Sequence, residues 1–434
     1  MKLYSTNNPS AHVSFQEAVF NSMPQDKGLY MPVSIPRLPD SFFEQLPGYS
    51  LQQLAFEVAK HLLAGSIPND ALKALIDDAI NFDAPVVELE KDVYVLELFH
   101  GPSLAFKDFG ARFMSRVMSY FLKEGQKQLD VLVATSGDTG GAVALGFLGV
   151  PNTRVTILYP KGKVSDVQEL QLTTNGQNIR AIMIDGTFDD CQALVKQAFV
   201  DDELNKTFRL TSANSINIAR LIPQTFYYFN AHAQLLRQGK TQVAFCVPSG
   251  NFGNIGAGLL AWKMGLPVTQ FIAATNANDT VPAFLKSGVY EPKASVQTIA
   301  NAMDVGNPSN WVRIAELFKN DTTGLTNLLT GYTYTDEQTR QAIQQVFDRY
   351  KYVVCPHTAI AWRALKEWQL EHAGITGVFL STAHPCKFPD VFPDEIAAAI
   401  VVPAQVKELE TKDQQVAALS ENFDDFKTYL LINK

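Results

Sequence analysis

From residue 92 onward the chain alternates short β-rich runs with stretches of helical periodicity, and no other feature restricts its possible folds as much. The runs are "DVYVLELF" (92–99), "LDVLVAT" (129–135), "RVTILYP" (154–160), "IRAIMIDG" (179–186), "QVAFCVPS" (242–249), "TQFIAATN" (269–276) and "GVFLST" (377–382). Strands separated by helices imply parallel pairing through right-handed crossovers, so the class is α/β. In such sheets ligands gather at the carboxyl ends of the strands. Three runs end there in glycine- or hydroxyl-rich turns: Ala134 to Gly141, Pro248 to Asn254, and Ser381 to Pro385.

Ahead of this region, "VSFQEAVF" and "SLQQLAFEVAKHLLAG" are apolar at helical spacing, and the first 85 or so residues are expected to form a small helical cap. With 434 residues, 46% of them hydrophobic, two or three domains are expected. The tail from about 405 is charged and helix-like. A net charge of -8 argues against a nucleic-acid partner or a basic membrane-surface protein, so any bound phosphate must be met locally. Cys191, Cys246, Cys355 and Cys386 are too scattered for structural zinc, and no metal is expected. Neither a signal-peptide run nor 18 consecutive apolar residues is present, so a cytoplasmic protein with reduced cysteines and no membrane partner is expected.

The turn in "VPSGNFGNIGAGLLAWKMG" leads a strand into a helix, where unblocked N–H groups form an anion site and glycine admits the oxygens closely. Gly250, Gly253 and Gly256 are out of register for a dinucleotide fingerprint, and "RQGKT" has Gln234 where a nucleotide-binding loop needs its first glycine. A phosphate-bearing ligand other than a dinucleotide fits better, against the alternative that the glycines serve turn geometry alone. "TSGDTGGAVALGFLG" repeats the arrangement, with Ser136 and Thr139 able to hold an anion. Lys107, in "HGPSLAFKDFGARFM", lies among small and aromatic residues. An amine desolvated there loses protons more readily and can attack a carbonyl; the alternative is a surface lysine at a helix start. Pyridoxal phosphate would account for both features, with an aldehyde for the lysine and a phosphate for the loop.

"LELFHGPSLAFKDFGARF", "ATSGDTGGAVA", "TSANSINIAR", "VPSGNFGN", "AATNANDTVPAF", "NAMDVGNPSNW" and "STAHPCKF" resemble, in order and wording, the motifs of the threonine synthase family, in its longer subclass. The resemblance runs from "LYST" to beyond residue 390. It implies a fold-type II pyridoxal phosphate enzyme: two parallel-sheet α/β domains with the cofactor between them, plus an N-terminal helical domain. The expected division is 1–88 N-terminal, 89–125 with 220–400 as the large domain, 126–219 as the small domain, and 401–434 as a helical tail. The implied reaction converts O-phospho-L-homoserine and water to L-threonine and phosphate, in a monomer or homodimer. A related lyase yielding 2-oxobutyrate, a threonine dehydratase, and a cofactor binder without turnover are the alternatives.

By the same resemblance Lys107 is the Schiff-base lysine, and Gly250, Asn251, Phe252, Gly253 and Asn254 wrap the cofactor phosphate. Thr382 faces the pyridine nitrogen with a neutral hydroxyl. Asn214, Asn217 and Arg220 hold the substrate phosphate; read without the family, Asn217 is a helix cap and Arg220 a surface ion pair. Ser136, Gly137, Asp138 and Thr139 meet the substrate carboxylate or the cofactor hydroxyl, and Asp138 beside an anion requires a compensating donor. Asp108, His384 and Lys387 stay without assigned roles.

Overall fold

The computed structural model describes residues 1–122, 127–319 and 321–434. β1 (Lys2–Ser5), β2 (Asn8–Ser14) and β3 (Tyr30–Pro32) form an antiparallel sheet in the order β2-β1-β3. The N-terminal region is thus not the wholly helical cap expected from its sequence. These strands are short, and β2 is exposed along nearly its whole length, so neither an apolar run nor a clean alternation marks it. The helical expectation does hold for Leu51–Leu63. Ser50 and Gln53 close a capping box there, and Leu51, Leu54, Ala55, Val58, Ala59, Leu62 and Leu63 are buried on one face.

The chain then lays down β4 (Val86–Glu90) and β5 (Val93–Glu97) and crosses to a second sheet through β6 (Leu129–Ala134), β7 (Thr153–Pro160), β8 (Ile179–Asp185) and β9 (Arg209–Ser212). It returns through β10 (Val243–Pro248), β11 (Gln270–Thr275), β12 (Leu329–Thr333) and β13 (Thr376–Ser381), and ends with β14 (Val416–Ser420). The larger sheet has the order β12-β11-β10-β13-β5-β4 and is parallel except where β4 runs against β5. The smaller sheet, β14-β8-β7-β6-β9, is parallel throughout.

Each of the β-rich runs read from the sequence is a strand. β6, β7, β10 and β13 are buried at every residue, as strands covered on both faces must be. The large sheet already begins at Val86, ahead of residue 89. The tail is a second departure from expectation. Val416 pairs with Ala181, so β14 extends the small sheet, and the following helix Phe423–Ile432 buries Phe426 and Leu430 against Leu194 and Ala198. As an edge strand, β14 is only half-buried at alternate positions and carries too weak an apolar signal to reveal itself. Among the described residues no helix is long and apolar enough to cross a membrane.

Candidate active site

Strand adjacency assembles the site from distant segments. Phe379 of β13 pairs with Cys246 of β10 on one side and Val95 of β5 on the other. The three parallel strands therefore end at one edge, which brings together the glycine turn after β10, Thr382 after β13 and the segment leading from β5 to Lys107. In the small sheet β6 and β9 are neighbours, which places Ser136–Thr139 beside the segment holding Asn214 and Arg220. The two carboxyl edges face each other. Asn251 Nδ2 donates to Ser215 Oγ at 2.8 Å, Gln171 Nε2 to the Ser103 carbonyl at 3.0 Å, and Lys387 Nζ lies 2.7 Å from Asp138.

The turn after β10 has the backbone geometry that suits an anion. Phe252 takes a left-handed conformation (φ 58°) and the helix Gly253–Lys263 starts without a side-chain cap. Among the described residues no acceptor meets the N–H groups of 250 to 255; the first intrahelical bond runs from Gly256 to the Phe252 carbonyl. The asparagine side chains shape this nest and are largely consumed in doing so. Asn251 Oδ1 accepts from Ser309 N–H (2.6 Å) and Oγ (2.8 Å), and Asn254 Oδ1 from the Tyr227 and Tyr228 hydroxyls (2.6 and 2.7 Å). Asn254 Nδ2 is buried without a partner.

Beneath the nest, Arg313 is 1% exposed and bonds the carbonyls of Ser215 and Ile216 and Asn310 Oδ1, with no carboxylate partner among the described residues. Burial lowers its pKa to about 9, which leaves it charged at neutral pH, a fixed cation behind the anion site. Nothing in its sequence context marked it, because its partners are remote carbonyls.

Gly250 has no room for a side chain: an added Cβ would stand 2.6 Å from Met303 Cα and 3.0 Å from the Ala302 carbonyl. Backbone cannot yield as a side chain does. Gly250→Ala is expected to weaken pyridoxal phosphate binding about 10- to 100-fold, the equivalent of about 1–3 kcal/mol of overpacking. Gly256→Ala, whose Cβ would have its closest contact at 3.8 Å, should leave it unchanged. Titrating the cofactor-free protein by absorbance compares the two.

Lys107 is the first residue of the helix Lys107–Phe121 and is pinned on both sides. Ahead of it Phe106 N–H donates to the Thr382 carbonyl (2.9 Å) and Ala105 bridges Ala383; behind it Asp108 Oδ2 accepts from Ser103 N–H (2.9 Å). Lys107 is half-buried, and its side chain forms no ion pair among the described residues. Burial pushes its amine down to about 8, Asp138 opposing this and Arg220 and Lys387 reinforcing it. Asp108 braces the loop and does not cap the helix; burial drives its carboxyl up to about 6, and its Oδ1 has no partner.

On the facing edge Thr135 Oγ1 accepts from the N–H of Gly137 and Gly140 (3.0 and 2.8 Å). The N–H groups of Ser136, Asp138 and Thr139, and the hydroxyls of Ser136 and Thr139, remain free among the described residues. Gly137 has φ 126°, and an added Cβ would meet Gln168 at 2.4 Å. Burial alone would raise the Asp138 carboxyl, but Lys387 and then Lys107 hold it well below the carboxylate range, and Gln168 Nε2 donates to it at 2.9 Å. Lys387 is the compensating donor that Asp138 required.

Asn214 ties the strand ends together, Nδ2 donating to the Ala134 carbonyl at 3.0 Å. Asn217 is spent on the fold: its Oδ1 caps Ala219 N–H (3.0 Å) and its Nδ2 donates to the Val19 carbonyl (2.8 Å), so the cap reading holds and no donor is left for a ligand. Arg220 is 3% exposed rather than on the surface, with Nη1 on the Ala213 carbonyl at 2.6 Å and Nε without a partner. Thr382 presents a hydroxyl with no protein partner among the described residues. His357, which sequence reasoning missed, accepts from Ala302 N–H at 3.2 Å and so supports the backbone pressed against Gly250; burial lowers it to about 4, a neutral imidazole. His384 is likewise neutral and accepts from Cys386 N–H.

An amine that readily loses its proton, a nest of free N–H groups and an unpaired hydroxyl together suit pyridoxal phosphate. Residues 2–80 match the family described as threonine synthase N terminus, 81–377 pyridoxal-phosphate dependent enzyme, and 358–430 threonine synthase, C-terminal. The chain is 45% identical to a threonine synthase of Haemophilus influenzae over 99% of its own length and 100% of the relative's. The crystal structure of threonine synthase from Escherichia coli superposes with a TM-score of 0.92 at 42% identity, covering both chains fully. A pyridoxal phosphate-bound threonine synthase from Brucella melitensis gives 0.90 at 34% identity over 99% of this chain and 98% of that one. The chain belongs to the threonine synthase family of pyridoxal phosphate-dependent enzymes.

Proposed function

We propose that the chain converts O-phospho-L-homoserine and water to L-threonine and inorganic phosphate. The observation that carries this reading is a single reactive amine set between two separate anion sites. One is the nest at 250–255; the other comprises the free N–H groups and hydroxyls of Ser136–Thr139 with the Arg220 guanidinium. The cofactor phosphate takes the first site, and the substrate's phosphate and carboxylate share the second.

When bound, pyridoxal phosphate supplies an electron sink that stabilises negative charge next to the amino-acid nitrogen. Lys107 would hold its aldehyde carbon, the nest its phosphate and the Thr382 hydroxyl its ring nitrogen. A hydroxyl does not keep a proton on that nitrogen as a carboxylate would, which leaves more of the proton traffic to Lys107. The Lys107 amine takes a proton from Cα and releases it before taking one from Cβ, and the Cγ–O bond breaks with its electrons leaving on phosphate. Water adds its hydroxyl at Cβ while its remaining proton goes to the departed phosphate, and the two carbon-bound protons return to Cγ and Cα. Arg220 receives the phosphate through charge-assisted donors, and the N–H groups of Ser136–Thr139 receive the carboxylate.

We also propose a cytoplasmic location, and a monomer or homodimer. The test is incubation with O-phospho-L-homoserine: threonine and phosphate should form in equal amounts. Phosphate accompanied by 2-oxobutyrate would assign a lyase instead.

A further inference from the structure

Lys387 is among the most completely enclosed charges in the molecule, and it reaches the Ser136–Thr139 turn only through the Asp138 carboxylate. Its side chain is 0% exposed, in the turn Pro385–Lys387 that follows β13. Nζ lies 2.7 Å from Asp138 Oδ1 and 2.9 Å from the Ser103 carbonyl. Its own carbonyl accepts from Ser165 Oγ at 2.6 Å. Ser165 caps the helix Asp166–Thr173, whose Gln168 and Gln171 bond the same two acceptors, Asp138 and the Ser103 carbonyl. Ser103 in turn donates to Asp108, the residue after Lys107. The result is a closed buried circuit joining the lysine loop, the Ser136–Thr139 turn and the segment after β13.

Such a circuit has a chemical consequence. A buried carboxylate beside a reactive amine would ordinarily pair with it and hold it as an ammonium ion, the unreactive form. We infer that Lys387 is a positioning residue for the reaction: by engaging the Asp138 carboxylate it keeps that acid from trapping Lys107, and by bonding Ser103 it fixes the lysine loop to the opposite sheet. This deepens the reading above and rests on Lys107 being the reacting amine.

Of the described groups facing this cluster, Lys107 is the one held near 8. His357 and His384 are pushed down to about 4 by burial and are neutral there. The thiols of Cys355 and Cys386 are raised by burial, and Arg220 stays charged. Asp108 changes charge only near 6.

The experiment uses the cofactor-loaded protein without substrate and follows the visible band of the bound cofactor against pH, alongside the acid limb of kcat/KM. Lys387→Met leaves Asp138 uncompensated, so both transitions should move up by about one pH unit or more. Lys387→Arg should keep them near the wild-type position. Asp138→Asn should move the band transition down, and in the double variant Asp138→Asn with Lys387→Met the upward shift should vanish. A band transition unmoved in Lys387→Met, or a shift that persists in the double variant, overturns the inference. Should Lys387→Met fail to fold or load cofactor, Asp138→Asn decides: an unmoved transition there rejects the inference. Because the band needs no substrate, a protein that shifts as described but makes no threonine would reject the proposed reaction and retain the role of Lys387.

Discussion

Lys107→Ala is expected to reduce turnover by about 10⁴-fold or more, since it removes both the covalent anchor and the carrier of protons between Cα, Cβ and Cγ. Stability should change little. Among the described residues the amine forms no ion pair, and removing it also removes a charge that burial disfavours. Cofactor should still bind through the 250–255 nest, but reduction with borohydride should no longer attach it to the protein. Mass spectrometry of the reduced protein separates the two states. A Lys107→Ala protein that kept normal turnover would show that the proton carrier lies elsewhere.

The second large effect is at Arg220. Among the described residues its guanidinium has one protein acceptor, Ala213 O, and an unpartnered Nε, while an added Cβ at Gly110 of the lysine helix would stand 2.7 Å from that Nε. Two charge-assisted bonds to a phosphate are worth about 3–4 kcal/mol, so Arg220→Ala should lower kcat/KM by about 10²- to 10³-fold and weaken inhibition by inorganic phosphate in parallel. The cofactor spectrum should be unaffected. Arg220→Lys should rescue only part of the loss, because an ammonium cannot present the fork. Removing a buried cation that has no carboxylate partner among the described residues relieves desolvation, so a large fall in thermal stability would point instead to a purely structural role.

What could be read from the sequence follows from how far each signal extends along the chain. β6, β7, β10 and β13 stand out because strands buried on both faces are continuous apolar runs. β1, β2 and β14 escape notice because they are short or exposed, and their pairing is decided by partners that local pattern does not reveal. The same holds in the site. Lys107 and the two turns declare themselves through glycine, serine and the strand-to-helix switch, all local requirements of backbone geometry.

Arg313, His357 and the role of Lys387 do not, since each depends on partners from other segments: carbonyls after β9, the Ala302 N–H, and Asp138. Asn217 shows the reverse error. Its place in a motif suggested a ligand contact, whereas the helix start at Ile218 uses its side chain as a cap.

The reaction in ¹⁸O-labelled water tests the central claim most directly. If phosphate leaves by cleavage of the Cγ–O bond and water adds at Cβ, threonine should carry the label in its hydroxyl group while the released phosphate stays unlabelled. Labelled phosphate with homoserine as the organic product would mean attack at phosphorus, and would contradict the assignment of Lys107 and Arg220 to an elimination followed by hydration.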